Sequence, residues 1–508
     1  MLYVAIPTLL RDFHTTLPSL QWVITGYVLT FATLLIIGGR LVDVYGHRRI
    51  FLIGLALFGA GSLLASRSTS VSELVLGEAI IEGIGAALMM PASTAIISST
   101  FRGRERGTAF AMWATASGVG AAFGPVIGGF LTTNYSWRWA FLINVFVAPG
   151  AIVAALVFMR RSYRGERTLG IDIPGAVLVA FSMFLLVFGL SEGGTYGWMR
   201  PKASFLVGGA VILPRSSAIS IVPIAFMTAA GALVMFVLHE RAKERRGEHP
   251  LFEFSLLRTG TIRWGLLATS ALFMGQWGVV FVLPTFLQAG RHLTAEQSGF
   301  WLLPHGLFVI LGARLGSRLI HRFGTTMVVR LGLAMEAAGI VGVALALRPD
   351  VQLAGLLPGL ALYSIGVAFA VPQLTNLILE HVPRAKSGVI GGVNATVRQV
   401  SAALGVAVIS AILTAQTVHH AAGSVEQSSL SGSVKLDALS RFRALGTNFA
   451  PPHGASAHEV ATLRDIFERA LSSGARDALG FAIVVVTIGA LIALRIPRFK
   501  PSPDVSPT

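Results

Sequence analysis

"GGRLVDVYGHRR", residues 38–49, sets Asp43 and the arginines Arg40, Arg48 and Arg49 at a corner between two apolar runs, "WVITGYVLTFATLLII" (22–37) and "IFLIGLALFGAGSLLA" (50–65). Apolar runs of about 20 residues cross the hydrocarbon core of a bilayer as helices. The stretch therefore reads as a short charged turn between two membrane spans. Glycines at 38, 39 and 46 let the helices and the turn pack closely. Asp43, at the membrane edge, needs a positive partner, either an arginine or the N-terminal end of a helix. Arg48 and Arg49 are placed to anchor the turn on an anionic leaflet.

The rest of the chain extends this pattern. Of 508 residues, 54% are hydrophobic and only 13% are charged, about half the charged fraction of a soluble domain. The 56 glycines suit close helix approach in lipid. Apolar runs bounded by charge give spans at 20–42, 50–66, 74–99, 108–132, 138–158, 172–190, 216–238, 262–288, 297–320, 327–347, 353–379, 387–415 and 477–496, preceded by a fragment at 1–10. The net charge of +16 does not indicate nucleic-acid binding. It sits in alternate loops, "HRR" (47–49), "RGRER" (102–106), "RRSYRGER" (160–167), "RAKERR" (241–246), "HR" (321–322), "RAK" (384–386) and "RIPRFK" (495–500), which is the positive-inside signature. Both termini are thus expected in the cytoplasm, with the protein in the inner or plasma membrane. The stretch 204–213 is too short to cross and reads as interfacial. Residues 416–476 read as a polar outer loop ending in an amphipathic helix, "SAHEVATLRDIFERALSS" (456–473), with Ser456 and Glu459 as a capping box. No cysteine is present, which excludes disulfides and thiolate metal sites; no metal site and no cofactor is implied.

The two halves repeat. "GGRLVDVYG" (38–46) aligns with "GSRLIHRFG" (316–324), and "GIGAALMMP" (83–91) with "SIGVAFAVP" (364–372); Gly107 then pairs with Gly388 and Gly124 with Gly405. Collinear matches at nearly constant offset indicate an all-α membrane protein of two six-helix bundles with two extra helices between them, an architecture of transporters. The expected organisation is an N-terminal bundle over 1–160 with its first span truncated, a linker with two extra spans over 161–250, a C-terminal bundle over 251–500 and a cytoplasmic tail over 501–508.

Three stretches resemble the major facilitator superfamily, specifically its fourteen-span drug:proton antiporters. "GGRLVDVYGHRRIF" is similar to the cytoplasmic loop between spans 2 and 3 at Gly39, Leu41, Asp43, Tyr45, Gly46, Arg48 and Arg49. "GVGAAFGPVIGG" is similar to the antiporter signature of span 5 at Gly120, Gly124, Pro125, Gly128 and Gly129, and "SWRWAFLIN" (136–144) to the opening of span 6 in the fourteen-span group. The resemblance implies that the first corner latches the two halves in an outward-facing state, that span 5 seals them, and that the chain exports amphipathic or lipophilic compounds in exchange for protons. Departures occur where Ala79 and Glu82 replace the arginine and glutamine usual in span 4, where Gly405-Val406 replaces Gly-Pro, and where His321 replaces the acid of the repeated loop.

Acids inside lipid are costly and mark function by default. Glu78 and Glu82 lie at i, i+4 on one helix face, and two carboxyls that close share a proton more readily than they carry two charges. Glu336, alone in span 11, is placed to pair with Arg398 of span 13. These four are the proton-coupling candidates; Gln276, Trp277 and His305 are the cavity candidates. No phosphate-binding loop, zinc-protease pair or serine elbow occurs in a suitable context, so the chain is expected not to be an enzyme and to draw energy from a gradient. Its expected partners are a small-molecule substrate, protons and the lipid bilayer, with no nucleic acid and a monomer as the expected state. A uniporter or importer of the same fold, and a non-transporting sensor or scaffold, stay open at this point.

About ten apolar residues cannot cross a core that needs about 20, yet the alternation of later loops requires a first crossing. The natural chain is therefore expected to start upstream of Met1, with an acid in the added span. Intact-mass measurement of protein from the native host tests this: a mass matching a Met1 start, in a preparation active in proton-driven efflux, would refute it.

Overall fold

The computed structural model describes residues 8–9, 12–15, 17–159, 172–207, 210–248, 250–380, 382–383, 386–449, 451–452 and 455–497. Most of the 1–10 fragment, the basic loop 160–167 and the tail 501–508 lie outside them. The helices are α1 (Leu17–Tyr45), α2 (His47–Arg67), α3 (Val71–Thr100), α4 (Gly103–Asn134), α5 (Arg138–Phe158), α6 (Ile173–Tyr196), α7 (Ile221–Arg245), α8 (Gly260–Gly290), α9 (Ala295–Phe323), α10 (Thr325–Ala346), α11 (Leu353–Glu380), α12 (Ser387–Gln427), α13 (Gly432–Leu445) and α14 (Ala457–Ala493). Among the described residues, twelve of these are long and apolar enough to cross a membrane, and the 32-residue α4 matches them in length. The chain is a multi-pass membrane protein.

The repeat seen in the sequence is a repeat of contacts. In the first half α2 meets α3 through glycines: a Cβ on Gly54 would stand 2.9 Å from the carbonyl oxygen of Gly85, and one on Gly85 2.7 Å from that of Gly54. In the second half Gly332 on α10 and Gly366 on α11 meet in the same way, at 2.8 and 2.6 Å. Seven residues further along α2 and α10, Gly61 abuts Glu82, and Gly339 abuts Tyr363. The corners match too. Gly46 (φ 93) and Gly324 (φ 80) each turn the chain between two helices in the left-handed region that a side chain disfavours.

Helices α1, α2, α3 and α5 pack as one group and α8–α12 with α14 as another. Across the halves, α4 packs mainly on α9 and α11, and α1 packs on α12; α6 and α7 pack on each other, and α6 also touches α1 and α12. The "SWRW" stretch fixes the start of α5. Trp137 is buried beside Phe13 and Phe141, its indole N–H donates to Asp12 at 2.8 Å, and Arg138 stacks over its ring. The carboxylate of Asp172 caps α6 by accepting the N–H of Gly175. Burial pushes that carboxyl up, but the N–H of Gly175, hydrogen bonds with Glu240 and His239, and the Lys243 ammonium together hold it below its ordinary value.

The stretch 204–213 forms no span: β1 (Phe205–Val207) pairs antiparallel with β2 (Ala210–Leu213), which satisfies the backbone of so short an apolar stretch. One expectation is corrected. Residues 416–476 are mostly helical rather than a loop. The capping box at Ser456 and Glu459 is present, but the helix it starts runs without a break into the last span, giving 37 residues in α14. With 41 residues, α12 is longer still. At 1.5 Å per residue these helices reach roughly 55–60 Å, about twice the hydrocarbon core. Their ends lean on α13 around buried Val425, Phe442, Leu463 and Phe467, with the Phe442 and Phe449 rings stacked at 3.8 Å. The apolar face of 456–473 is used in this packing.

Gly366→Leu is expected to destabilise by about 3 kcal/mol or more, the upper end of overpacking costs, because its Cβ would sit 2.5 Å from the backbone of Glu336. Gly231→Leu, where nothing lies within 4 Å, serves as the control. Melting curves in detergent should separate the two; equal midpoints would remove the glycine contact as a determinant of the bundle.

Candidate functional site

Asp43 ends α1 in the first half and is 3% exposed. Its carboxylate accepts two backbone N–H groups from the start of α12 in the second half, Gly388 to Oδ1 at 2.7 Å and Val389 to Oδ2 at 2.8 Å. Of the two partners open to it, the helix end is the one used. A buried anion there satisfies two unpaired donors and opposes the positive end of the helix dipole. Gly39 lets the backbones touch: a Cβ would stand 2.9 Å from the Gly388 carbonyl carbon and 3.1 Å from the Cα of Val389. Arg40 lies in the same field. Arg48 donates to the carbonyl of Leu156 at the end of α5 at 2.8 Å. Arg49 is exposed.

A second tie between the halves escaped the sequence reading. Arg106 of α4 pairs with Glu380 of α11 at 2.8 Å and donates to Asn376 at 2.7 Å; Gln373 donates to the carbonyl of Gly107 at 3.2 Å. Arg106 lies in the basic run 102–106, and the polar residues crowding the end of α11 were the available signal.

Away from this end, a cavity of ≈ 1070 Å³ opens between the halves. Its walls come from Tyr27 and Phe31 of α1, Glu78 and Glu82 of α3, Phe141 and Asn144 of α5, Trp277 of α8, and α12 from Gln399 to Val418. Leu190, Ser191 and Gly194 of α6 and Trp198 close another side, while Lys202 and Arg443 bring positive charge. Volume and aromatic lining suit a drug-sized apolar molecule.

Glu78 and Glu82 both lie on this wall, in the π-helical segment Val75–Glu82 of α3, a distortion frequent at functional sites. The two carboxyls hydrogen-bond each other. Glu82 also accepts from Ser62 at 2.5 Å and from Asn144 at 3.4 Å, and Asn144 donates to Ser62 at 3.1 Å. Ser62 and Asn144 went unassigned in the sequence, although Asn144 stands as a lone amide in the apolar run "AFLINVF".

Other candidates fall elsewhere. Glu336 is fully buried on α10 and neither carboxyl oxygen has a hydrogen-bond partner. The expected pairing with Arg398 does not form among the described residues: that guanidinium lies over Phe273 at 4.6 Å and Trp113 at 5.5 Å. Trp277 lines the cavity, whereas Gln276 and His305 do not. The Gln276 carbonyl accepts from Tyr363, and His305 contacts Ser364 at 2.8 Å and stacks on Tyr363. In α4, Gly124 and Gly128 are buried and Gly120 is exposed. Among the described residues, nothing lies within 4 Å of a Cβ at Gly120 or Gly124. The side chains at Pro125 and Gly129 lie outside the described residues.

Residues 1–406 match the sequence profile of the Major Facilitator Superfamily. The chain is 32% identical to a probable actinorhodin transporter of Streptomyces coelicolor over 419 residues, covering 80% of this chain and 68% of that protein. It is 27% identical to a tetracenomycin C resistance and export protein of Streptomyces glaucescens, covering 99% and 88%. Among solved structures, the human organic anion transporter MFSD10 (TETRAN) superposes with a TM-score of 0.58 at 14% identity, over 94% of this chain and 83% of that one. The proton:xylose symporter XylE superposes at 0.51 and 14% identity, over 80% and 82%.

Asp43→Asn removes one acceptor and the charge, a loss of about 1.5–3 kcal/mol for a hydrogen bond to an ion, or roughly 10–100-fold in the closed-to-open ratio. The variant should insert normally and transport poorly. The chain has no cysteine, and Thr94 faces Gly391 across the halves, 2.6 Å from a Cβ there. A single cysteine at Thr94→Cys should therefore label faster in the Asp43→Asn background. Unchanged labelling with normal transport would show that the contact does not hold the halves.

Proposed function

The chain belongs to the Major Facilitator Superfamily, and on that premise we propose that this transporter exports amphipathic, lipophilic small molecules in exchange for protons. The observation that carries the reading is the carboxyl pair Glu78–Glu82 on the wall of an aromatic cavity, with Ser62 and Asn144 fixing one of its members. Adjacent carboxyls that share a proton can exchange it for a bound compound, because a compound entering this wall alters the surroundings of both. Trp277 and the α12 wall form the substrate-facing surface opposite. A relative named as a tetracenomycin C resistance and export protein supports the direction of transport.

The orientation follows from charge. With the basic loops inside, the Asp43 latch and both termini are cytoplasmic, the protein lies in the inner or plasma membrane as a monomer, and the closed latch leaves the cavity open outward. The division into an N-terminal bundle to 160, an inserted pair to 250 and a C-terminal bundle to 500 belongs to the same reading. Glu336, buried and lacking hydrogen-bond partners, is a second proton site on the other half; Arg398, over two aromatic rings near the base of the α12 wall, is an electrostatic element of the same coupling.

Glu82→Gln keeps shape and removes the titrating group. It should lower proton-driven efflux at least about tenfold, the scale of losing a positioned proton-transfer group, while substrate binding persists; Glu78→Gln should be milder. Proton release on substrate addition measures this in purified protein. Wild-type release by Glu82→Gln would move the assignment to Glu336.

A further inference from the structure

Outside the cavity, the inserted helices α6 and α7 bring three metal-ligating side chains together. We propose that Asp172, His239 and Glu240 form a binding site for a divalent metal cation. One ligand atom from each lies within 4.8 Å of the others, and His239 Nε2 is 3.0 Å from Asp172 Oδ2.

The carboxylates are held from behind. Asp172 Oδ1 accepts the Gly175 N–H at 3.2 Å, and Glu240 Oε2 accepts the Phe252 N–H at 2.9 Å. Outer hydrogen bonds of this kind orient metal-ligating carboxylates. Glu240 is 0% exposed, and among the described residues its Oε1 meets no donor from the rest of the fold; only the Asp172 carboxyl is within hydrogen-bonding reach of Glu240 there. That oxygen points to where the other two ligands converge: a Cβ on Gly175 would collide with it and stand 2.8 Å from Asp172 Oδ2. A buried acceptor left open is costly unless a cation or proton completes it. A cavity of ≈ 390 Å³, lined by Asp172, His239, Lys243 and Glu248, adjoins the cluster and supplies an entry path.

One imidazole nitrogen and two carboxylate oxygens, with no thiolate, suit zinc or manganese with water in the remaining positions. The rival arrangement is an ion-pair network without metal, centred on Lys243, 3.4 Å from Asp172 Oδ2. A bound dication displaces that ammonium toward Glu248, already 3.9 Å away. Because Arg40 sits in the field of Asp172, Glu240, Glu253 and Asp43, metal here would alter the charge balance beside the latch. The site does not depend on what the cavity carries.

The test uses the full chain in detergent, freed of metal by a chelator. Manganese binding is read from loss of the free-ion resonance, and zinc binding by competition with a chromogenic chelator, both at neutral pH. One equivalent is expected in the wild type. His239→Gln and Glu240→Gln should bind roughly tenfold or more weakly, and Lys243→Met as tightly or more tightly. Absence of stoichiometric binding of both metals by folded wild-type protein would overturn the proposal even where a variant fails to fold. So would undiminished binding in both ligand variants.

Discussion

The arrangement of the halves depends on one carboxylate placed at the end of a helix from the other half. Asp43 receives two N–H groups that no helix can satisfy internally. It does so only because Gly39 and Gly388 let two backbones come into contact. Neither element works alone. An anion without the close approach would leave the donors out of reach, and close approach without the anion would bury unpaired polar groups. The tie between Arg106, Glu380 and Asn376 adds a second contact from different chemistry, a cation from the first half meeting an acid from the second.

Much of this was legible in the residues, for identifiable reasons. Membrane spans declare themselves by length and hydropathy, so the long helices fall close to the apolar runs. The internal repeat was legible where Gly85 recurs as Gly366, because that position is held by backbone contact that tolerates no side chain; its partners Gly54 and Gly332 emerge only from the fold. Asp43 was legible because an acid among glycines at a membrane edge admits few uses. The capping box at Ser456 was read correctly, since its hydrogen bonds lie within four residues.

What was not legible depends on distance through space. The sequence shows Glu336 and Arg398 as opposite charges in spans, but only packing places Arg398 against Phe273 and leaves Glu336 apart. Gln276 and His305 look like Trp277 in the sequence, yet only Trp277 faces the cavity. Asn144 and Ser62 are 82 residues apart, and only the fold brings both to Glu82. The hairpin at 205–213 and the reach of α12 beyond the bilayer were missed because polarity ends a span in the sequence without ending a helix in space.

That reach gives α12 the geometry of a lever. Its first turn is held by Asp43 and its middle is pinned where Gly405 packs on the backbone of Met274. Its far end carries Val425 into the core shared with α13, whose Arg443 lines the cavity. A rigid rod of roughly 60 Å turns a tilt of about 5° into a displacement of about 5 Å between its ends. Were this rod to tilt, its Asp43-held start and its α13 end would move together, with no relay of side chains needed between them.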